Sequence, residues 1–113
     1  MILYGIPNCD TMKKARAWLD ERGLAYTFHD YRRHGVDAAL LRPWIERLGW
    51  EALLNRAGTT FRKLPDAQKQ AIDADKALAL MVAQPGMIRR PLLVDGERIE
   101  IGFKPERYAA LFG

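Results

Sequence analysis

The 113-residue sequence holds one cysteine, Cys9, and two histidines, His29 and His34. One cysteine excludes an internal disulfide. One cysteine with two histidines also lacks the ligand number and spacing of a structural zinc site, so no metal is expected. No run of about 18 apolar residues is present, which excludes a membrane-spanning helix. The opening MILYGIPNCD has no basic stretch followed by an apolar one, so it does not read as a secretion signal. A lone free thiol suits a reducing, cytoplasmic setting. Glycine-rich phosphate loops, repeats, low-complexity tracts and linkers are all missing.

What is there fits one globular domain over residues 1–113. The chain is 49% hydrophobic and 28% charged, enough apolar material for one core without staples. The net charge of +4 attracts anions. The basic residues form short clusters at 13–16, 32–33 and 89–90, with no basic tail, and read as a solvated surface. No stacking or groove-reading motif accompanies them, so no nucleic-acid partner is expected. A monomer is expected.

The element pattern is α/β. Met1–Gly5 reads as a short strand ended by Gly5 and Pro7. Asn8, Asp10 and Thr11 are helix-capping types ahead of an apolar stripe at Met12, Ala15 and Leu19. Gly23 ends that helix. Leu24–Tyr31, rich in aromatics, reads as a second strand. A helix from Asp37 to Gly49 carries Pro43, which predicts a bend or a late start. Trp50–Leu54 reads as a helical turn, Asn55–Thr60 as a loop, and Pro65-Asp66 as the start of a short helix. Ala74–Gln84 is a firm helix. Leu92–Val94 and Arg98–Ile101 flank Asp95-Gly96, a type I′ hairpin signal. Gly102 breaks the second of these strands, and Pro105 opens a last helix to Phe112. The expected fold is a mixed four-stranded sheet flanked by helices, its first βαβ unit parallel and right-handed. Residues from about 37 to 84 form a helical insertion.

Cys9 lies where a strand meets a helix start. The first amides of a helix have no internal partner, and with the helix dipole they stabilise a negative charge there. A thiol so placed is lowered from a pKa near 8.5. Lys13 and Lys14 are within one turn and help; Asp10 opposes. From position alone, a reactive cysteine and an inert buried one remain equally open. A phosphatase loop fails because Ala15 stands where its arginine belongs. A dithiol motif fails at Met12, and nothing brings His29 or His34 to Cys9. Arg89-Arg90-Pro91 reads either as a plain strand entry or as a ledge where guanidinium groups grip a carboxylate or oxyanion. Trp18, Trp44 and Trp50 sit on helical stripes and read as packing residues.

Three blocks, LYGIPNCDTMKKA, LGWEALLNRAGTTFRKL and RRPLLVDGERIEIGFKPERY, make the chain similar to the ArsC/Spx family, nearest to its bacterial YffB-type branch. The resemblance spans essentially the whole chain. It implies a thioredoxin-like fold, a reactive Cys9, Thr11 on an anion-holding turn, and Arg90 next to a cis Pro91. Arsenate reductases of the family use an arginine where Asn55 stands, beside Arg56, and another where Lys104 stands. The two-cysteine switch of Spx regulators is removed by Met12. YffB-type members resemble glutathione-dependent thiol reductases, and that is the activity expected. The mechanism is monothiol: Cys9 attacks an oxidised sulfur and an external thiol completes turnover. No cofactor is tightly bound; glutathione is the reductant. Its carboxylates are expected on Arg90 and Lys13, with Asn8 and Thr11 on the thiol turn, Arg56 nearby, and Pro91, Gly102, Phe103 and Lys104 forming the facing wall. The alternatives are reduction of an oxyanion, arsenate, by the same cysteine, and a non-catalytic Spx-like adaptor that binds RNA polymerase.

Overall fold

A computed structural model describes residues 1–112. The chain runs β1 (Ile2–Gly5), α1 (Asp10–Glu21), β2 (Thr27–Asp30), α2 (Tyr31–His34), α3 (Ala38–Leu48), α4 (Trp50–Leu53) and α5 (Thr59–Arg62). It continues with α6 (Asp66–Lys69), α7 (Ala74–Ala83), a 3-10 turn at Pro85–Met87, β3 (Leu92–Asp95), β4 (Arg98–Ile101) and α8 (Pro105–Phe112). Two compact units result: a sheet unit of Met1–Tyr31 together with the chain from Arg90 onward, and a helical unit, Arg32–Arg89, inserted between them in sequence.

The sheet unit contains the expected mixed four-stranded sheet, in the order β2-β1-β3-β4. The strand pair β1–β2 is parallel, with Ile2 opposite Thr27 and Gly5 opposite Asp30. The pairs β1–β3 and β3–β4 are antiparallel. Strand β2 is shorter than its aromatic run suggested. A strand persists only where a neighbour supplies backbone partners, and β1 offers four residues.

The inner face of α1 supplies Met12, Ala15, Trp18 and Leu19 to a core shared with Leu3, Leu93 and Tyr108. These positions follow the three- and four-residue spacing of a helix face. The helix and β1 approach closely at Gly5, where a Cβ would overlap the Met12 Sδ. At the far end of α1, Gly23 (φ 67°) lets its amide reach the Asp20 carbonyl at 3.1 Å and the Leu24 amide reach Leu19 at 3.1 Å. Those two bonds satisfy the orphan carbonyls of the last turn, as a Schellman cap does.

The hairpin turn is one residue later than its sequence signal. Asp95 pairs with Arg98, so Gly96 and Glu97 form the loop. Gly96 has a positive φ of 60° and Glu97 does not, whereas a type I′ turn needs both central residues positive. Helix α8 is tied back to β4 by the two-pronged Arg107–Glu100 pair, both contacts 3.1 Å, and by an Arg98 guanidinium bond to the Leu111 carbonyl at 2.9 Å.

The helical unit has its own buried set, including Leu41, Trp44, Leu53, Phe61, Leu78 and Met81. Helix α3 packs on α4 and α7. Asp37 and Asp73 cap α3 and α7, each carboxylate accepting an amide at 2.8 Å, from Leu40 and Lys76. Pro43 lies inside α3 and neither delays nor ends it. Three elements were not anticipated: the helical turn α2, where a strand end and a loop were expected, α5, which starts within the expected Asn55–Thr60 loop, and the 3-10 turn at Pro85–Met87. Loop and returning chain are stitched together by a Leu54–Ile88 bridge, with the Asn55 amide on Met87 at 2.8 Å and the Arg89 amide on Leu53 at 2.7 Å. Among the described residues no helix is long and apolar enough to cross a membrane.

Candidate active site

Cys9 itself is the N-cap of α1, with extended backbone angles of φ −133° and ψ 128°. The expected caps sit elsewhere: Asn8 precedes the cap and is exposed, while Asp10 and Thr11 belong to the first turn. An N-cap side chain normally presents an oxygen to the second and third amides of its helix. Here those amides belong to Thr11 and Met12, and the side chain is a thiol, which makes no conventional cap bond. The sulfur instead receives the electrostatic effect of that position.

Burial works to raise the Cys9 pKa. The Met12 amide, the Arg90 guanidinium and the Thr11 amide all act the other way, and the outcome is a thiol below its ordinary value. Met12 thus contributes its backbone amide to the sulfur while its side chain is fully buried in the core. The cationic help comes from Arg90. Lys13 and Lys14, the nearest cations in sequence, are exposed and have no part in the shift. The Lys13 amide donates to the Cys9 carbonyl at 3.0 Å, which closes the first helical turn.

Arg90 reaches the thiol from the segment that enters β3. The Arg90–Pro91 peptide bond is cis, and the Pro91 carbonyl accepts the Gly102 amide at 2.8 Å. Gly102 adopts φ 81°, a conformation other residues rarely take, and so turns the chain from β4 toward α8. Phe103 is half-buried. It packs edge-on against Tyr108, ring centroids 4.8 Å apart, at the border of the core. The Lys104 side chain is exposed, and its carbonyl accepts the Arg107 and Tyr108 amides at 2.9 and 3.1 Å.

Arg56 belongs to the helical unit, where its guanidinium lies 5.4 Å from the Trp50 ring centroid. The preceding Asn55 uses its side-chain oxygen to accept the Ala57 amide at 3.2 Å. A Cβ on Gly58 would also crowd the Asn55 amide nitrogen at 2.8 Å. Asn55 therefore builds the loop, a local bond that an arginine in its place has no acceptor to make. The same unit has a cleft of about 280 Å³ bordered by Thr59, Thr60, Lys63, Leu64 and Gln84. None of these is an expected site residue.

Sequence reasoning missed an aromatic group beside Arg90. Tyr4, His29 and Tyr31 are mutual neighbours, with ring centroids 4.9 Å (Tyr4–His29), 6.1 Å (Tyr4–Tyr31) and 5.9 Å (His29–Tyr31) apart. Tyr31 is 2% exposed, and its buried hydroxyl has no hydrogen-bond partner. Burial pushes the Tyr31 phenol far up, Tyr4 adds to this, and Arg90 opposes it. Arg90 is thus within electrostatic reach of both the Cys9 sulfur and the Tyr31 oxygen. The aromatic richness of residues 24–31 was the available signal, and it read as strand propensity.

The ArsC family model matches residues 4–111. A solved structure described as the YFFB (PA3664) protein is 60% identical, with a TM-score of 0.94 and 96% of each chain covered. An arsenate reductase (ArsC) related protein from Brucella melitensis is 53% identical, with a TM-score of 0.78, covering 98% of this chain and 92% of that one. An uncharacterized Haemophilus influenzae protein is 37% identical over 97% of this chain and 96% of its own length. The global transcriptional regulator Spx of Listeria innocua is 24% identical over 92% of this chain and 80% of its own.

Proposed function

We propose that this chain, which belongs to the ArsC family, is a glutathione-dependent thiol reductase of monothiol type. One observation carries the reading: the chain's single sulfhydryl occupies the cap of α1, where two amides and Arg90 favour its thiolate. The thiolate is the form that attacks disulfides.

The Cys9 thiolate attacks one sulfur of a substrate disulfide. A Cys9–substrate disulfide forms, and the other half leaves as a thiolate that takes a proton from water. No second cysteine exists in the chain to displace the substrate. Glutathione thiolate attacks the mixed disulfide and releases the substrate thiol, leaving Cys9 joined to glutathione. A second glutathione then frees the Cys9 thiolate as glutathione disulfide departs. Two glutathiones are oxidised for each disulfide reduced. Arg90 and the first-turn amides stabilise Cys9 as the leaving thiolate in that last step. Arg90 also offers a fork for a glutathione carboxylate, and the exposed Lys13 a point charge. Arsenate reduction is the weaker assignment, because Asn55 is held in its loop where the resemblance places an arginine.

The test is to expose reduced protein to glutathione disulfide and weigh it intact. One glutathionyl group on the wild type and none on Cys9→Ser supports the reading. The wild type should also turn over a small disulfide with glutathione, saturating in both. No adduct and no saturation would sink it.

A further inference from the structure

The cleft of the helical unit takes no part in the thiol chemistry and has a composition of its own. It measures about 280 Å³ and is bordered by Thr59, Thr60, Lys63, Leu64 and Gln84. Four of these side chains are polar and none is a carboxylate. One wall is a single helical turn. Thr59 and Lys63 stand four apart, as do Thr60 and Leu64, so each pair shares a side. The Lys63 amide donates to the Thr59 carbonyl at 3.1 Å, and the Leu64 amide to the Phe61 carbonyl at 3.0 Å. A second wall is Gln84, the C-cap of α7. Its amide donates to the Leu80 carbonyl at 2.9 Å, and its carbonyl accepts the Met87 amide at 3.0 Å. The two segments close up at Gly86, where a Cβ would stand 3.3 Å from the Thr60 hydroxyl oxygen. Backbone bonds thus hold both walls, and the buried Leu64 supplies an apolar floor.

The polar groups of the cleft are uncommitted. Among the described residues Lys63 has no ion pair: Asp66, the acid nearest to it in sequence, is with Lys69. Lys69 itself donates to the Arg62 carbonyl at 2.7 Å. No side-chain hydrogen bond within the described protein engages Thr59, Thr60 or Gln84. What sets these groups apart from scattered surface ones is that they line one concave space. They do so in the unit where ten basic residues outnumber six acidic ones. One ammonium matches one negative charge. Two hydroxyls and a carboxamide each donate and accept, which suits hydroxyl groups better than a second charge. The volume is near the lower end of small-molecule sites, about 300–1,000 Å³, so the ligand is compact. We propose that this cleft binds a small hydroxylated carboxylate of the sugar-acid class. Its carboxylate lies on Lys63, its hydroxyls on Thr59, Thr60 and Gln84, and its carbon chain over Leu64.

The experiment follows the amide resonances of the whole chain by NMR as gluconate is added, with sorbitol and inorganic phosphate as parallel probes. Gluconate is expected to move the Thr59, Thr60, Lys63, Leu64 and Gln84 signals along one saturating curve. Sorbitol has the hydroxyls without the charge, and phosphate the charge without the carbon chain. Each is expected to bind about tenfold more weakly, the loss of one charge-assisted or two neutral hydrogen bonds. Lys63→Gln should weaken gluconate about tenfold for the same reason. Thr60→Val keeps the branched shape, loses the hydroxyl and should weaken it about threefold. Neither side chain is buried, so both variants should melt with the wild type. Absence of saturation with gluconate overturns the proposal. So does a Lys63→Gln protein that binds gluconate as tightly as the wild type, or a set of shifts centred on other residues. Phosphate binding as tightly as gluconate overturns it too, since the cleft would then read charge alone. No thiol takes part in the measurement, so this proposal and the glutathione reading can fail separately.

Discussion

The sheet unit and the helical unit differ in charge as well as in architecture. Through Tyr31 and from Arg90 onward, eight basic residues balance eight acidic ones. Between Arg32 and Arg89, ten basic residues face six acidic ones, so the whole excess of +4 belongs to the helices. Three of those six acids serve local structure: Asp37 and Asp73 cap helices, and Asp66 pairs with Lys69. The thiol nevertheless lies in the neutral unit. What favours its thiolate is one arginine and two amides aimed at it. Net charge attracts anions over long distances, whereas a helix terminus and a single guanidinium stabilise one at a fixed point.

The largest effect that tests this contrast is loss of the thiol. Cys9→Ser should lower glutathione-dependent disulfide turnover on the order of a thousandfold or more, as removal of a nucleophile does. A coupled reductase assay reads it. Next is Arg90→Met, which should slow alkylation of Cys9 by iodoacetamide at pH 7 about tenfold, the scale of one charge-assisted hydrogen bond. Converting Arg62 and Lys63 of the helical unit to glutamine removes two charges and should leave that rate nearly unchanged. If the two variants slowed alkylation equally, net charge would be the activator and the contrast would collapse.

Stability should separate the units too. Gly5→Ala forces a methyl against the buried Met12 sulfur and should destabilise by about 1–3 kcal/mol in urea unfolding. Asp37→Ala removes the α3 cap and should cost about 1 kcal/mol, with Cys9 titrating as before.

The smallest effect is pH dependence. The folded Cys9 pKa is lowered, so between it and the ordinary thiol value near 8.5 the folded chain carries a thiolate and the unfolded chain a thiol. Stability from this group therefore rises with pH across that window and is lost as pH falls through the folded pKa. The gap in unfolding free energy between wild type and Cys9→Ser should widen in that direction, by a small amount because the sulfur is only partly buried.

Much of this contrast could be read along the chain. Met12, Ala15 and Leu19 announced the buried face of α1, because a helix repeats its face every three to four residues. Leu92–Val94 and Arg98–Ile101 announced a hairpin, although its loop fell one residue later. Such patterns are local, and so they survive in one dimension. Strand β2 was overread because its ends depend on the length of β1, far away in sequence. Among the cations, Lys13 and Lys14 were suggested by proximity and Arg90 by the family resemblance, and Arg90 is the one that acts on the thiol. Tyr31 passed as strand material, since nothing local distinguishes a buried phenol from one facing solvent.

The sequence by itself determined that a single thiol stands at a helix start with no partner cysteine, and that the family resemblance reaches across the chain. Composition and spacing suffice for both. Only the tertiary structure decided that Cys9 is the cap itself, that Arg90 supplies its countercharge from 81 residues away, and that Tyr31 is buried against Tyr4 and His29. The physical reason is range. Capping and periodicity act within a few residues, while the field at a sulfur is set by whatever the fold brings near it.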